Sequence, residues 1–456
     1  SLAAEQGDFS LLVNGEPVAF TDAAPVLKDG RSFLPVATTF QALGFAQEDI
    51  VWNGETQSVT ASKDGTTISL TVGDSAVTWT GPSWSQTSED GTSGSAGGSG
   101  GIAYLDAAPY IDPATNRTYI PVGLVADILG CRVAWDGATS TVIIDDVDAI
   151  LAENTETYER MDQYLDYARK YSQGNYQVEG SYLLTSAPGE MESGAEIIHT
   201  VGGGYSMVTN QTAMQFAMDM SISGTIMGAP IAPTDMNLDM RADLDTGMLY
   251  LYFQSEDLEQ LMNNNVQVNG ETIEFQIPDQ WYSLDMKAVY DEAYGPGFYE
   301  ELIALSAASQ EAAFAQTLEE LLKSDTLILT STATTSDYLE ALNQLLGDSH
   351  FQKSGSTYTS TLEQDGVTIL FHLYTSGGQV NGYGMEMTAS ETTGMEMTMT
   401  MEMKGDDMSL LMEMAGMTME MDGTYRPSSA APETEPPAGA TVVDLWELLT
   451  TPVSEL

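Results

Sequence analysis

The sequence predicts an α+β protein with a duplicated small α/β module in its first third and a long antiparallel sheet, interrupted by helices, in the remainder. Three observations support this fold class. One motif occurs twice between residues 22 and 142. Short segments of alternating apolar and polar residues recur from residue 175 onward. Methionine supplies the apolar positions in several of those segments. A chain of 456 residues is long enough for two or three domains with separate cores.

The internal repeat relates residues 22–60 to residues 106–142. Each segment begins with Asp-Ala-Ala-Pro and continues with an Arg, an aromatic residue, an aliphatic residue and Pro-Val. Leu-Gly follows, and then Trp with Asn-Gly or Asp-Gly. Self-similarity of this kind indicates one structural unit used twice.

Each repeat predicts a short strand, a helix and a hairpin. Pro35 and Pro121 stand near the first turn of the helix, where a missing N–H is harmless. Gly44 and Gly130 stand where the helix should end, and glycine is a good residue for that position. The Asn-Gly and Asp-Gly pairs that follow are strong signals for hairpin turns.

A tryptophan precedes each of these turns, namely Trp52 and Trp135. Recurrence at one structural position favours a packing role for both side chains. Stacking on a carbohydrate is the alternative interpretation. Between the repeats, residues 87–101 form a Gly/Ser-rich segment that predicts a flexible loop. This loop contains a Gly-x-Ser-x-Gly pattern, but it lacks the strand and helix that a nucleophile elbow requires.

The repeated motifs resemble the copper amine oxidase N-terminal-like domain, also called the stalk domain, of secreted Gram-positive bacterial proteins. The resemblance spans about residues 9–148. It implies a non-catalytic extracellular module for attachment or self-association, with a cell-wall or surface-protein partner. The family usually has an Arg where this sequence has Ala37 and Gly123, so any role of that Arg does not transfer.

Amine oxidase activity is not expected. In the family, that chemistry belongs to another domain, which needs a cofactor-forming Tyr and three His ligands for copper. This chain has His199, His350 and His372, widely spaced and without a His-x-His pair. We find no phosphate-binding loop, zinc-ligand spacing or Cys-His pair either, so the sequence predicts a non-enzymatic protein without a cofactor or metal. The 67 acidic residues make a glycosidase pair unidentifiable, and a hydrolase is the remaining enzymatic alternative.

The second predicted domain covers residues 149–426. Residues 148–173 predict one helix, and its apolar side carries Leu151, Tyr158, Met161, Leu165 and Ala168. Strand-like segments follow, three helical segments interrupt them within residues 255–263, 310–324 and 335–348, and strands then resume. A Pro-rich linker starts near residue 426, and residues 427–456 form the linker and a terminal segment. Within that segment residues 441–449 predict a short helix, and Trp446 on this helix is predicted to dock on the main domain.

Methionines alternate with Glu and Thr along residues 395–404. Successive side chains of a strand point to opposite faces, so this pattern predicts one apolar face and one wet face. Thirteen of the 25 methionines lie between residues 385 and 421, so the apolar face should span several strands. Three interpretations remain open: a solid core packed under helices, a ligand-admitting cavity lined by adaptable thioethers, and a Cu(I) site.

The layout of this domain resembles the LolA/LppX-like lipoprotein fold, in which helices cover the concave face of a curved antiparallel sheet, or half-barrel. The resemblance implies that this face holds a lipid or other apolar small molecule. The candidate ligand-binding residues are then Met218, Met220, Met236, Met240, Met385, Met387, Met395, Met397, Met399, Met401, Met403, Met412 and Met414.

Composition narrows the partners and the location. The net charge of −53 repels nucleic acid and anionic membranes. No segment reaches the roughly 18 apolar residues of a membrane span. The single cysteine, Cys131, excludes an intrachain disulfide and is predicted to be a small core residue. Residues 1–8 form an N-terminal extension that is consistent with cleavage at a small-residue site, although no signal peptide is visible. The resemblance to the stalk domain implies a bacterial extracellular or cell-surface location.

Overall fold

The computed structural model describes most of the chain, and two elements of the sequence predictions lie outside the described part. Met395 is one of them, and most of the loop predicted over residues 87–101 is the other. The described residues are 7–81, 100–186, 189–190, 196–226, 228–265, 267–272, 274–390, 394 and 396–451.

The fold is mixed α/β and rich in strands, with a large curved sheet. Its contacts divide the chain into two units. The first comprises Ser1–Thr155 together with Leu318–Ala341, and the second comprises Glu156–Thr317 together with Leu342–Leu456. This division differs from the predicted boundary near residue 149, because a segment from the helical insert returns to the first unit.

The first unit contains small sheets and short helices. Its strands in the N-terminal segment are β1 Ser10–Val13, β2 Glu16–Pro17, β3 Val26–Lys28, β4 Arg31–Pro35, β5 Ile50–Asn53, β6 Ser58–Lys63, β7 Thr66–Thr71, β8 Ala76–Thr80, β9 Gly100–Tyr104, β10 Tyr110–Asp112, β11 Arg117–Pro121, β12 Arg132–Asp136 and β13 Thr141–Asp145. The helices of that segment are α1 Val36–Ala42, α2 Gly123–Asp127 and α3 Val147–Glu153.

The two repeat segments form the same succession of hairpin, short helix and second hairpin. Strands β4 and β11 come from the two repeats and pair antiparallel in the sheet β10-β11-β4-β3. Gly44 and Gly130 follow the helices at φ +89° and +68°, a backbone conformation that favours glycine. Cys131 is buried in the core of this unit, as the sequence predicts.

The packing role predicted for both repeat tryptophans is wrong. Trp52 is 45% exposed and Trp135 is 52% exposed. The reason is topological: β5 and β12 are edge strands, so each of them has a neighbouring strand on one side only. Both turns are also longer than the two-residue type, because four residues separate β5 from β6 and β12 from β13.

Residues 318–341 cover the outer face of the sheet β12-β13-β1-β2. Leu12 and Ile143 point away from the main core and pack with Leu329. Polar contacts reinforce this cover, since Asp136 accepts hydrogen bonds from the backbone N–H and hydroxyl of Ser331, at 2.9 and 2.8 Å. The sheet is therefore buried on both sides. This explains why β13 contains the continuous apolar run Val142–Ile144 in place of alternating apolar and polar residues.

The second unit contains the large sheet. Its first strands are β14 Tyr176–Ser186, β15 Gly189–Glu190, β16 Glu196–Thr209, β17 Ala213–Ile226, β18 Ala229–Asp243, β19 Met248–Gln254, β20 Gln267–Val268, β21 Glu271–Thr272 and β22 Trp281–Asp285. Later strands are β23 Gln352–Ser354, β24 Thr357–Gln364, β25 Val367–Ser376, β26 Gln379–Ala389, β27 Met397–Lys404, β28 Asp407–Met414, β29 Met417–Pro427 and β30 Val442–Asp444.

Helices precede, interrupt and follow these strands. They are α4 Glu159–Ala168, α5 Glu256–Asn265, α6 Met286–Tyr294, α7 Phe298–Ala308, α8 Phe314–Lys323, α9 Thr335–Leu346 and α10 Leu445–Thr450. Helices α6 and α7 were not predicted from the sequence. The segment Gly295-Pro296-Gly297, with both glycines at positive φ, lies between them and interrupts the helical periodicity of the region. Among the described residues, no helix has the length and apolar character needed to span a bilayer.

The sheet joins two antiparallel meanders. Strands β23 to β29 follow each other in chain order at one end, and β14, β16, β17, β18, β19 and β22 follow each other at the other. The meanders meet where β29 pairs with β14 over eleven residues, from Tyr176 opposite Pro427 to Ser186 opposite Met417. The sheet is therefore continuous although β14 and β29 are more than two hundred residues apart in sequence.

The single helix predicted over residues 148–173 is wrong, because the structure divides it into α3 and α4. The break coincides with Asn154–Tyr158, where polar residues replace the apolar pattern. Asp348 stabilises the N-terminus of α4 by accepting hydrogen bonds from the N–H groups of Glu159 and Arg160, at 2.9 and 3.0 Å. The break falls next to the boundary between the units.

The terminal segment forms the predicted short helix, α10, but Trp446 remains 49% exposed, so its predicted docking role is wrong. The segment is held instead by β30, which adds to β22 as a parallel strand and places Val442 opposite Trp281. Arg241 fixes the linker before β30 through an ion pair with Glu433 at 2.9 Å.

Candidate functional site

One face of the large sheet carries a continuous methionine surface, which we call the methionine face. Residues directly opposite each other in paired strands project from the same side of a sheet. Across β26 to β29 the register gives two such rows. One row contains Met387, Met399, Met412 and Met419, and the other contains Met385, Met401, Leu410 and Met421.

The same face continues across the junction between the meanders. Met421 lies opposite Tyr182 of β14. Further along the sheet, Tyr205 lies opposite Met218, and Met218 lies opposite Leu238. Val178, Tyr182 and Tyr205 form a buried cluster against which Met207, Phe216, Met218, Met220 and Met421 pack.

The twelve described candidate methionines all belong to this face by register, and Met395 lies outside the described residues. Strands β17 and β18 supply Met218, Met220, Met236 and Met240. Strands β26, β27 and β28 supply Met385, Met387, Met397, Met399, Met401, Met403, Met412 and Met414.

The methionine face is only partly covered. Of the twelve candidate residues, Met403 is buried, with 6% of its surface exposed, and the other eleven are intermediate. Helix α4 covers the face near β25 and β26, where the ring of Tyr164 lies 6.1 Å from that of Phe371 and 5.1 Å from that of Tyr383. Extended, partly exposed apolar surfaces are typical of binding surfaces and interfaces, which makes this face the candidate site.

A cavity of about 180 Å³ opens on this face beside the C-terminal end of α4. The sheet contributes thioethers to its wall, and the helix contributes aromatic rings. The residues that line this site are Tyr167, Ala168, Tyr171, Tyr383, Met401, Glu402, Met403, Met408 and Tyr425.

The tyrosine hydroxyls on the helical side of the cavity form hydrogen bonds at its edge. The hydroxyls of Tyr167 and Tyr171 each donate a 2.6 Å hydrogen bond to the carbonyl oxygen of Gly405. Lys170 forms a 2.7 Å ion pair with Asp406 beside them. Burial raises the pKa of Tyr167 to about 12, so this hydroxyl is neutral at physiological pH. The cavity therefore offers ring surfaces and thioethers to a ligand.

The opposite face of the same strands is polar, as the alternation predicts. Glu402 accepts a 2.7 Å hydrogen bond from the Tyr374 hydroxyl there, and this hydrogen bond is the main reason that the pKa of Glu402 falls below its usual value. His372 lies between Thr359 and Glu386, at 2.7 and 3.1 Å. In the part of the chain that the structure describes, no group of three or more His, Cys, Asp or Glu residues is placed to hold a metal ion.

The tyrosines that line the cavity were not among the candidate residues predicted from the sequence. Tyr164, Tyr167 and Tyr171 recur at spacings of three and four residues, a pattern that indicates one helical face. That signal could have identified the aromatic wall. The partners Tyr383 and Tyr425 could not be identified in the same way, because their proximity depends on the pairing of distant strands.

Comparison with known proteins supports the family resemblance of the N-terminal region. Residues 12–144 match the family model of the copper amine oxidase N-terminal domain. A search of curated proteins found no match to the chain. Among solved structures, a beta-barrel-like protein of a domain of unknown function from Brucella abortus is 9% identical over 56% of this chain and 98% of its own. The TM-score of 0.19 is too low to support any inference about the second unit.

Proposed function

We propose that this protein is a secreted, cell-surface-associated, non-enzymatic protein whose second unit binds a lipid or other apolar ligand on the methionine face. The single observation that carries the proposal is the cavity beside α4, because it joins thioethers of the sheet to an aromatic wall on a face that remains partly exposed. The first unit would serve as the attachment module, which the match of residues 12–144 to a non-catalytic domain family supports.

The choice of methionine favours an adaptable apolar site. Methionine has an unbranched, polarizable side chain that adjusts to irregular contents, whereas β-branched residues specify a solid core better. A bound acyl chain would gain about 0.8 kcal/mol for each buried methylene group. The large negative net charge of the protein disfavours an anionic ligand surface, so the apolar part of the ligand would supply most of the affinity.

The test is native mass spectrometry of the full chain, followed by organic extraction and lipid analysis. We expect a co-purifying apolar molecule in the wild type. Met401→Glu should remove it, because the substitution places a carboxylate at the cavity wall. Met401→Leu keeps the wall apolar and should retain it.

A charge control belongs on the other face of the sheet. Thr388→Glu adds the same carboxylate at an exposed position that faces away from the methionines, and it should leave binding intact. If the wild type carries no lipid and takes up none on incubation with an uncharged lipid such as a monoacylglycerol, the methionine face is a structural core or interface and the proposal is wrong. Stoichiometric Cu(I) uptake that Met401→Leu abolishes would also contradict it, in favour of metal binding.

A further inference from the structure

The first unit contains a groove that the match to the family does not assign. It has a volume of about 410 Å³ and opens between the hairpin β12-β13 and the strands β4 and β11. Val133, Val142 and Pro121 contribute apolar lining. Trp135, Arg31 and Asp106 line the same groove. The groove therefore combines an aromatic platform with charged hydrogen-bonding groups.

Trp135 is half open to solvent within this groove. Its neighbour Phe9 meets the indole edge to face, at 6.3 Å between ring centroids and 78° between planes. The indole also lies over the adjacent turn, since a Cβ built on Gly137 would be 3.5 Å from its Nε1. These contacts fix the ring while 52% of the residue stays exposed. An indole held in this way is a preorganised surface for stacking.

Arg31 and Asp106 are the charged residues that line the groove, and Asp127 lies next to its residue Gly123. Arg31 Nε lies 3.2 Å from Asp106 Oδ2. Asp127 lies close to Asp106, because a Cβ on Gly123 would be 3.6 Å from Asp127 Oδ2 and 3.5 Å from Asp106 Oδ1. Burial, with a further contribution from the Asp106 charge, raises the pKa of Asp127 above its usual value. Gly123 thus leaves an open space between two carboxylates where another residue would place a side chain.

We propose that this groove binds a neutral carbohydrate, with one sugar ring on Trp135 and its hydroxyls on Asp106 and Arg31. The C–H face of a pyranose is apolar and flat enough to pack on an indole, whereas its equatorial hydroxyls need donors and acceptors around the rim. Carboxylates and a guanidinium supply strong, charge-assisted hydrogen bonds to such hydroxyls. An acidic glycan would meet the two carboxylates and the negative field of the whole chain, so the ligand is uncharged.

The repeat supplies a matched control. Trp52 occupies the equivalent position in the first repeat, and its indole is likewise exposed and placed over a turn glycine, with a Cβ on Gly54 at 3.6 Å from Nε1. Trp52 does not line the groove described above. If any exposed indole bound sugar, replacing either tryptophan would weaken binding. If the groove binds sugar, only the replacement of Trp135 should do so.

Isothermal titration of the full chain with N-acetylglucosamine hexamer and with β-1,4-glucose hexamer tests the proposal. We expect measurable binding of at least one of these neutral chains by the wild type. Trp135→Ala should weaken that binding by tenfold or more, whereas Trp52→Ala should change it less than twofold. Circular dichroism melting of each variant shows whether the fold is retained.

A second variant fills the groove without removing the platform. Gly123→Arg meets only ordinary contacts at Cβ, and its guanidinium can pair with Asp106 and Asp127. We expect it to fold and to abolish binding. The proposal is overturned if neither oligosaccharide binds, if Trp52→Ala and Trp135→Ala have equal effects, or if Gly123→Arg binds as the wild type does.

Discussion

The Tyr205 hydroxyl donates a 2.7 Å hydrogen bond to the carbonyl oxygen of Asp422. Tyr205 belongs to β16 and Asp422 to β29, so this bond reaches across β14 and ties the two meanders of the large sheet together. The tyrosine reaches this far because Gly180 and Gly423 lie opposite each other beneath its hydroxyl. The methionine face is continuous at the junction because of this arrangement.

Replacing Gly423 should therefore destabilise the second unit. A Cβ at this position would lie 2.2 Å from the Tyr205 hydroxyl, so Gly423→Ala forces the ring to move. We expect a loss of about 2 kcal/mol in the free energy of unfolding, as for other overpacked sites. Chemical denaturation measures it. Gly204→Ala is the control, because its Cβ would meet its nearest neighbour only at 3.8 Å and should be neutral. Equal effects of the two substitutions would contradict the account.

Asp136 should make the first unit sensitive to acid. Hydrogen bonds from the backbone and then the side chain of Ser331 lower the pKa of Asp136 to about 2, from 3.8. A carboxyl with a lowered folded-state pKa stabilises the fold above its unfolded-state pKa and loses that contribution as pH falls through the folded-state value. Asp136→Asn should lower the Tm at pH 7, and its difference from the wild type should shrink between about pH 4 and pH 2.

Calorimetry at several pH values checks this prediction. Asp49→Asn, at an exposed aspartate of the same unit, is the control and should leave the Tm nearly unchanged at pH 7. A difference between Asp136→Asn and the wild type that stays constant down to pH 2 would show that the carboxylate charge is not what Ser331 recognises.

Arg241 should protect the linker from proteolysis. Its guanidinium lies 4.9 Å from the Trp281 ring, forms the ion pair with Glu433 and donates to the carbonyl oxygen of Glu435. Arg241→Ala removes all three contacts and should increase the rate of cleavage within residues 428–440 severalfold. Arg241→Lys keeps the positive charge but loses the planar guanidinium group with its several N–H donors, so it should give an intermediate cleavage rate. A cleavage rate for Arg241→Ala equal to that of the wild type would mean that β30 alone holds the segment.

Cys131 should be unreactive in the folded protein. Burial raises the pKa of its thiol to about 12, and the thiolate is the reactive form. Ellman's reagent at pH 8 should label less than a tenth of the native protein in the time that fully labels the urea-unfolded chain. Rapid labelling under native conditions would show that the core around α1 and α2 opens readily.

Local periodicity predicted which methionines share a face of the sheet. Alternation in the methionine segments placed Met399 and Met401 on the same side of β27, because a strand has a period of two residues. The repeat also predicted which elements Pro35 and Gly44 would begin and end. These features depend on neighbours within one segment, and such neighbours are visible in the sequence.

Features that depend on distant partners could not be predicted in this way. The return of Leu329 to the sheet of the first unit requires knowledge of tertiary contacts. The exposure of Trp52 and Trp135 follows from the edge positions of their strands, and strand order is not encoded in local patterns. The cavity requires Tyr167 to meet Met408 across a long stretch of chain, so its walls became evident only from the structure.

The most direct test of the central claim is methyl NMR of protein labelled with ¹³C at the methionine methyl groups, titrated with an uncharged lipid such as a monoacylglycerol. If the methionine face binds apolar ligands, the resonances of Met401, Met403 and Met408 should shift together and saturate. Met286 begins α6 and is not part of the methionine face, so its resonance should not shift and serves as an internal reference. Unchanged resonances for all three cavity methionines at saturating ligand would contradict the claim and leave the methionines as structural residues.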